Sequence, residues 1–488
     1  MPVRNQVQLI TYPDSLGGDL KTLDAILREH FAGLFAGIHI LPPFPSSGDR
    51  GFAPQTYFEI EPRFGTWDDI RRISQQAGVL LDLMVNHISR QSPYFKDFQQ
   101  KGRSSEYADL FITLDKVWPG GQPNPGDVAK IFLRRPEHPF ADIPIVATGE
   151  VERVWATFGT RDWSEQMDVD VHSPVTRGLF RRILEHMSRQ GVSMLRLDAI
   201  AFVIKKPGTS CFFIEPEIYD FMEWIQGQAR EVGIELLPEV HAEYPIQLKL
   251  AEHGCWVYNF ILPLAVLHAL LRKDSRILRE HLATCPRKQF TMLDCHDGIP
   301  VQPDVNGILP VEEALAVVRA CLERGANLSV IHNLDHRLRP DYDAHQINLT
   351  YYSALGQDDA YIAARSIQFF APGIPQVYYV GLLAGENDQE EVQRSGERRA
   401  INRHNFTTEE VQHAVRKPVV QRLIRLIRFR NEYPAFQGDF SVLDSDDHSL
   451  ALDWTRGESH CQLDVDLKNG KSTITYQGED GQTRQFAP

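Results

Sequence analysis

The sequence predicts an α/β chain: a (β/α)8 barrel with two inserted loop-rich subdomains and a small C-terminal antiparallel β domain. Three observations predict it. Short, near-continuous apolar runs alternate with helix-spaced apolar patterns, as buried parallel strands and their crossover helices require. Eight such strands are countable, each followed by a helix or by an insertion plus a helix, which favours a closed barrel over a doubly wound sheet. The rhythm breaks twice into stretches rich in Pro, Gly and charge. The expected domains are therefore barrel over 1–87, 164–297 and 358–437, insertions over 88–163 and 298–357, and a β domain over 438–488.

Taken in order, Val7–Tyr12 alternates like a strand, Leu23–Leu34 is helical, and Ala36–Leu41 is a strand halted by Pro42 and Pro43. Helix Asp68–Gln76 leads to strand Val79–Val85, which ends in Asn86 and His87. After the first insertion come helix Thr176–Gln190 and strand Val192–Ala199, then helix Pro216–Val232 and strand Ile234–His241. Helix Ile246–His253 and strand Trp256–Leu262 follow, then one helix over Leu264–Leu282 and strand Gln289–Asp297. After the second insertion, helix Asp359–Phe370, strand Pro375–Gly381 and helix Val419–Asn431 complete the barrel. Ser449–Trp454, His460–Asp466 and Ser472–Tyr476 alternate as short antiparallel strands. Arg422, Arg425 and Arg428, three apart on the last helix, read as a solvated face.

With 488 residues the chain is long enough for a large core. A net charge of −14 argues against a nucleic-acid or anionic-membrane partner. Six scattered Cys without a CxxC pair read as reduced thiols of a cytoplasmic protein. Residues 1–7 show no apolar signal region, and no apolar run reaches about 18 residues. The expected partners are small molecules, with the chain a monomer or homodimer.

In a barrel the working groups lie at the C-terminal strand ends. Those ends carry Asp49 and Arg50, Asn86 and His87, Arg196 and Asp198, Glu239 and His241, His296 and Asp297, and in the last loop Arg403 and His404. Arg196 and Asp198 are two apart on a strand and so emerge on one face, where the guanidinium favours the ionised acid that a nucleophile needs. Alone, that stretch fits a structural Arg–Asp pair as well. Carboxylates at three strand ends, with Arg and His between them and no clustered metal-ligand spacing, point to acid–base and nucleophilic work at an acetal carbon. Retaining glycosyl transfer needs one ionised and one protonated carboxyl group, about 5 to 5.5 Å apart. His87 and His296 are read as donors to sugar hydroxyls in preference to metal ligands.

Asp82-Leu83-Met84-Val85-Asn86-His87, Arg196-Leu197-Asp198-Ala199, Glu239-Val240-His241 and Leu293-Asp294-Cys295-His296-Asp297 resemble the four signature regions of the α-amylase superfamily. Phe52-Ala53-Pro54, Gly208–Phe212, His296–Ile299, Gln376–Gly381 and Ile401–His404 resemble its sucrose phosphorylase subfamily over nearly the whole chain. The resemblance implies Asp198 as nucleophile, Glu239 as general acid/base and Asp297 as transition-state stabiliser. Asp49, His87, Arg196, His296 and Arg403 would hold the glucosyl unit. It further implies a covalent glucosyl–Asp intermediate, inorganic phosphate as co-substrate, and neither metal nor other cofactor. The carboxylates themselves would serve transfer to water equally well.

Two loop positions depart from plain sucrose phosphorylases: Arg134 replaces a Pro in Tyr-Arg-Pro-Arg, and His345 replaces a Tyr. Added donors over the leaving-group subsite fit an anionic leaving group. The pair resembles sucrose 6-phosphate phosphorylases, whose substrate bears phosphate on its fructose unit. Glucosylglycerate and plain sucrose are the alternative substrates within the family, and a non-catalytic carbohydrate-binding scaffold is the alternative outside it. The expected acceptor-side residues are Arg134, Arg135, His241, Asp343, His345 and Gln346. Three further departures are Pro238 before the acid/base, Asn259 where Asp is common, and Ala400 before Ile401.

Overall fold

The computed structural model describes residues 3–159, 162, 165–331, 338–339 and 341–486. Eight strands make up the main sheet: β1 (Gln8–Thr11), β2 (Gly37–Ile40), β3 (Gly78–Met84), β4 (Val192–Asp198), β5 (Glu235–Pro238), β6 (Val257–Asn259), β7 (Gln289–Thr291) and β8 (Ile374–Tyr378). The chain divides into two compact units, one of Ile40–Val240 with Ile331–Pro340, the other of Pro2–His39, His241–Val330 and Asp341–Pro488.

In the first unit, β3, β4 and β5 run parallel, with Asp82 opposite Arg196, Met84 opposite Asp198 and Leu197 opposite Pro238. Apart from Gly78, Ser193 and Glu235, every residue of these strands is buried, which explains their near-continuous apolar reading. Pro238 is the last residue of β5, where its missing N–H removes no interior ladder bond; the next amide, Glu239 N–H, still donates to Leu197 O at 3.0 Å. Helix α1 (Leu20–His30) lies in the other unit, while α2 (Trp67–Ser74), α3 (Pro174–Arg189) and α4 (Glu217–Glu231) belong to the first. Thr66 and Asp69 close a capping box on α2, and Ser173 followed by Pro174 starts α3. The first inserted stretch has its own core of Ile112, Leu114, Trp118, Ile131, Phe140 and Trp155, under an antiparallel pair of Phe140–Pro144 and Val151–Trp155.

In the second unit, β6, β7, β8 and β1 form successive parallel ladders. Its further helices are α5 (Tyr244–Glu252), α6 (Leu262–Arg272), α7 (Arg276–Thr284), α8 (Val311–Leu322), α9 (Asp358–Phe370) and α10 (Pro418–Glu432). The single helix expected over 264–282 is two: Lys273 turns left-handed at φ 61° and ends α6, and Asp274 pairs with Arg276 at the start of α7. The strand expected over 289–297 leaves its ladder after Thr291, and Asp294 meets the buried Arg365 guanidinium at 2.7 Å instead. The second insertion is less irregular than its composition implies. It holds α8 and an antiparallel sheet of Ile299–Pro300, Ala344–Asn348 and Asn327–Val330. The C-terminal sheet has five strands where three were expected: β9 (Asp439–Leu443), β10 (Ser449–Arg456), β11 (Ser459–Asp466), β12 (Lys471–Gln477) and β13 (Thr483–Phe486). On α10, Arg425 and Arg428 are exposed, and Arg422 pairs with Asp359 at 2.8 Å.

Candidate active site

In the first unit, Arg196 is the hub. Its Nη1 donates to Asp82 Oδ1 at 2.5 Å and to Asp198 Oδ1 at 2.9 Å, and its Nη2 lies 2.7 Å from Glu239 Oε1. The guanidinium is 4% exposed and Asp82 fully buried, while Asp198 and Glu239 keep 12% and 11% exposure. The cause is register. Asp82 stands directly opposite Arg196 on the neighbouring strand, Asp198 is two residues on along the same face, and Glu239 follows the end of β5. Counting these four groups alone, three carboxylates face one guanidinium, a formal charge of −2, which favours proton uptake by one of the three. Ala199, just past Asp198, is held left-handed at φ 56°, and its N–H donates to Glu239 Oε2 at 3.1 Å. Such strain at a non-glycine residue persists only where its surroundings enforce it.

His87 is buried, and burial lowers its pKa. Its Nε2 lies 2.9 Å from Phe52 O, so that nitrogen carries the proton of a neutral ring. The Phe52 ring lies under the Arg196 guanidinium at 5.7 Å. Asp49 opens a short turn, Asp49–Gly51, in which Asp49 and Arg50 both sit at φ 47°. Gly51, at φ 109°, could not carry a Cβ without meeting Pro42 O at 2.7 Å.

In the inserted stretch, Arg134 is half-buried, with its guanidinium 5.9 Å from the Phe158 ring. Arg135 is buried, and its Nη1 and Nη2 donate to Ala156 O and Phe140 O. Those bonds hold local backbone, a structural task that the acceptor-side expectation did not foresee. Lys205 was not singled out by sequence. Its buried ammonium lies 2.7 Å from Asp168 and 2.9 Å from Asn86 Oδ1, and also reaches Phe202 O.

In the second unit, Asp297 is paired with Arg399 at 2.6 Å and lies 3.8 Å from Arg403 and from His296. Asn402 ties the loop by donating to Cys295 O at 3.1 Å and Asp297 O at 3.0 Å, and Arg403 Nε donates to His296 O at 2.8 Å. Tyr12 from the end of β1 meets the His296 ring edge-on and lies under Arg403. Arg399 also donates to Gln346 Oε1 at 2.8 Å, joining Asp297 to the expected acceptor loop. His345 is buried, with Nδ1 2.6 Å from Gln302 O; its ring lies edge-on to that of His241 at 6.1 Å. Asp343 is half-buried and Gln346 buried. Gly298 admits this loop: a Cβ there would meet Ile347 O at 2.8 Å. His404 turns instead to Asp388 and Glu410, at 2.7 and 3.3 Å.

Residues 33–240 match the family described as alpha amylase, catalytic domain. The chain is 56% identical over 487 residues to sucrose 6(F)-phosphate phosphorylase of Thermoanaerobacterium thermosaccharolyticum, with 100% of each covered. The chain belongs to the sucrose phosphorylase subfamily of the α-amylase superfamily. Within that family, the crystal structure of sucrose 6F-phosphate phosphorylase from Thermoanaerobacter thermosaccharolyticum matches with a TM-score of 0.98 at 55% identity, covering 100% of this chain and 99% of that one. A glucosylglycerol phosphorylase of Marinobacter adhaerens is 43% identical over 488 residues, again with 100% of each covered. The family fold is the expected (β/α)8 barrel with a C-terminal antiparallel sheet. Among the described residues, no helix is long and apolar enough to cross a membrane.

Two departures from the family pattern acquire a local reason. Asn259 Oδ1 accepts from Leu262 N–H at 3.0 Å, starting α6, and lies 2.8 Å from the buried His281 Nε2. Ala400 is buried in the turn that carries Asn402 and Arg403, where its carbonyl accepts the Arg403 amide at 3.1 Å. Sequence reasoning assigned no role to Asp82, Arg399 or Asp304. The first stood inside a quoted motif, two residues before Met84. Arg399 lies in a short 3-10 turn, Arg398–Asn402, and Asp304 in a loop, and neither stretch carries a periodic signal.

Proposed function

We propose that the chain is a retaining glycoside phosphorylase that reversibly converts sucrose 6F-phosphate and inorganic phosphate into α-D-glucose 1-phosphate and D-fructose 6-phosphate. The observation that carries the chemistry is the Arg196 hub, which binds Asp198 and Glu239 through its two terminal nitrogens. Full-length identity to a sucrose 6(F)-phosphate phosphorylase supports the choice of substrate.

Asp198 attacks the anomeric carbon and forms a glucosyl ester. Glu239 takes the proton that the crowded carboxylates favour and delivers it to the leaving oxygen. Phosphate then attacks the anomeric carbon of that ester, with Glu239 accepting its proton, and the bond to Asp198 breaks to release the carboxylate. Asp297 stabilises the positive charge that develops on the sugar ring in both steps. Asp49, His87, Arg196, His296 and Arg403 hold the glucosyl unit. Arg134, Arg135, His241, Asp343, His345 and Gln346 serve the acceptor and phosphate side. The reaction draws on phosphate as co-substrate and on no resident metal or cofactor. A cytoplasmic setting fits six scattered cysteines without a CxxC pair.

Incubation with 2-deoxy-2-fluoro-α-glucosyl fluoride, followed by peptide mass mapping, tests the double displacement. The sugar is expected on Asp198, and labelling elsewhere, or of the Asp198→Asn variant, would contradict it. A non-catalytic scaffold would bind glucosides without ever acquiring the label.

A further inference from the structure

The acceptor-side histidines of the second unit are held differently, and the difference has a chemical consequence. His345 Nδ1 faces a neutral carbonyl, Gln302 O, at 2.6 Å. That contact fixes a tautomer without favouring a charge. His241 Nδ1 faces both oxygens of Asp304 at 3.2 Å, and Asp304 is fully buried. A carboxylate only accepts, so Nδ1 carries a proton, and a buried negative charge beside it favours the doubly protonated ring. The ring is held flat on Phe260 at a centroid distance of 3.9 Å and keeps 17% exposure. A ring nitrogen of His241 also lies within 4.8 Å of an Asp297 carboxylate oxygen. Glu239 stands two residues earlier in the chain. Among the described residues, these neighbours are thus carboxylates, the His345 imidazole and an apolar face; the cations sit on those carboxylates, Arg399 and Arg403 on Asp297 and Arg196 on Glu239.

We infer that Asp304 is a positioning residue: it holds His241 as an imidazolium, so that Nε2 donates to a phosphate group on the acceptor side of the site. This rests on the proposed phosphorylase reading. The phosphate is either the inorganic co-substrate or the ester on the leaving group, and both present the same anionic oxygens. Neutral His241 would offer Nε2 as an acceptor and repel either one. Phosphate affinity therefore falls as pH rises through the His241 pKa. Removing the Asp304 charge moves that loss to lower pH.

The test uses the full chain and its Asp304→Asn and Asp304→Glu variants, assayed from about pH 5.5 to about pH 8.5. One arm varies inorganic phosphate with plain sucrose as donor, and the other varies sucrose 6F-phosphate. Phosphate's own ionisation is common to all enzymes and cancels in the comparison. Asp304→Asn is expected to raise KM for phosphate about ten-fold near neutral pH, with kcat changed less than about three-fold. It should also shift the alkaline limb down by about one pH unit. Asp304→Glu, which keeps the charge, should recover most of the loss. A rise confined to the sucrose 6F-phosphate arm assigns His241 to the ester phosphate and also supports the inference. Equal loss in kcat and KM with no pH shift, or no change at all, overturns it. Histidine ring NMR of the wild-type chain, with the His241 signal assigned by its loss in His241→Gln, decides independently of variant folding and turnover. An imidazolium at neutral pH is expected, and a ring that titrates at or below 6.5 refutes the role. A wild-type chain without phosphorolysis would sink the proposed function, while this titration still judges the Asp304–His241 pair.

Discussion

At the scale of residues, the central pair was legible because a strand alternates faces: Arg196 and Asp198, two apart, do share a guanidinium contact at 2.9 Å. Asp82 could not be assigned from one sequence, since its role depends on lying in register with Arg196 across two strands. Asp198→Asn keeps that geometry and removes the proposed nucleophile. Turnover is expected to fall by about a thousand-fold or more with glucoside binding retained, checked by initial rates and calorimetry. His281 gives a separate, pH-dependent prediction. Burial pushes its pKa down from 6.5 to about 4, so it is neutral in the fold. Between those values the unfolded chain binds a proton that the folded chain refuses. Stability is therefore complete above about pH 6.5 and is lost as pH falls toward 4, by about 3 kcal/mol at the lower limit. Urea midpoints measured across this window should drop with acidity in the wild type, and the slope should flatten in His281→Gln. An unchanged slope would remove His281 as the cause.

Elements with strong periodicity were read to within a few residues, as in α3, α10 and seven of the eight strands. Errors fell where one residue or one side-chain bond overrides a pattern. Lys273 breaks an apolar run of helical spacing into α6 and α7, and the pull of Arg365 on Asp294 replaces strand by loop. The second insertion misled because Pro, Asp and Asn mask a short antiparallel sheet. Lys205 fastens the stretch after β4 to Asn86, after β3, and to Asp168. Lys205→Met leaves the fully buried Asp168 without that cation. A loss of about 3–5 kcal/mol is expected, seen as a lower thermal midpoint, whereas an unchanged midpoint would show the pair to be dispensable. Gly298→Ala should misplace the acceptor loop, because its Cβ has no room beside Ile347 O. The expected outcome is a raised KM for the leaving-group sugar with folding intact, and an unaltered KM would contradict this account of the glycine.

At the scale of the whole molecule, the count of eight strand–helix units sufficed to place the chain in its fold, and the resemblance of the quoted motifs placed it in its family. Neither reveals the leaving group, which the proposed reading assigns to loop side chains such as Arg134 and His345. The central claim is phosphorolysis of a fructose-phosphorylated sucrose. Its most direct test is phosphate-dependent release of glucose 1-phosphate from sucrose 6F-phosphate, glucosylglycerate and sucrose at matched concentrations, with Arg134→Ala and His345→Ala alongside. The account predicts a strong preference for sucrose 6F-phosphate that either substitution reduces. Preference for sucrose or glucosylglycerate, or glucose release that does not depend on phosphate, would contradict it.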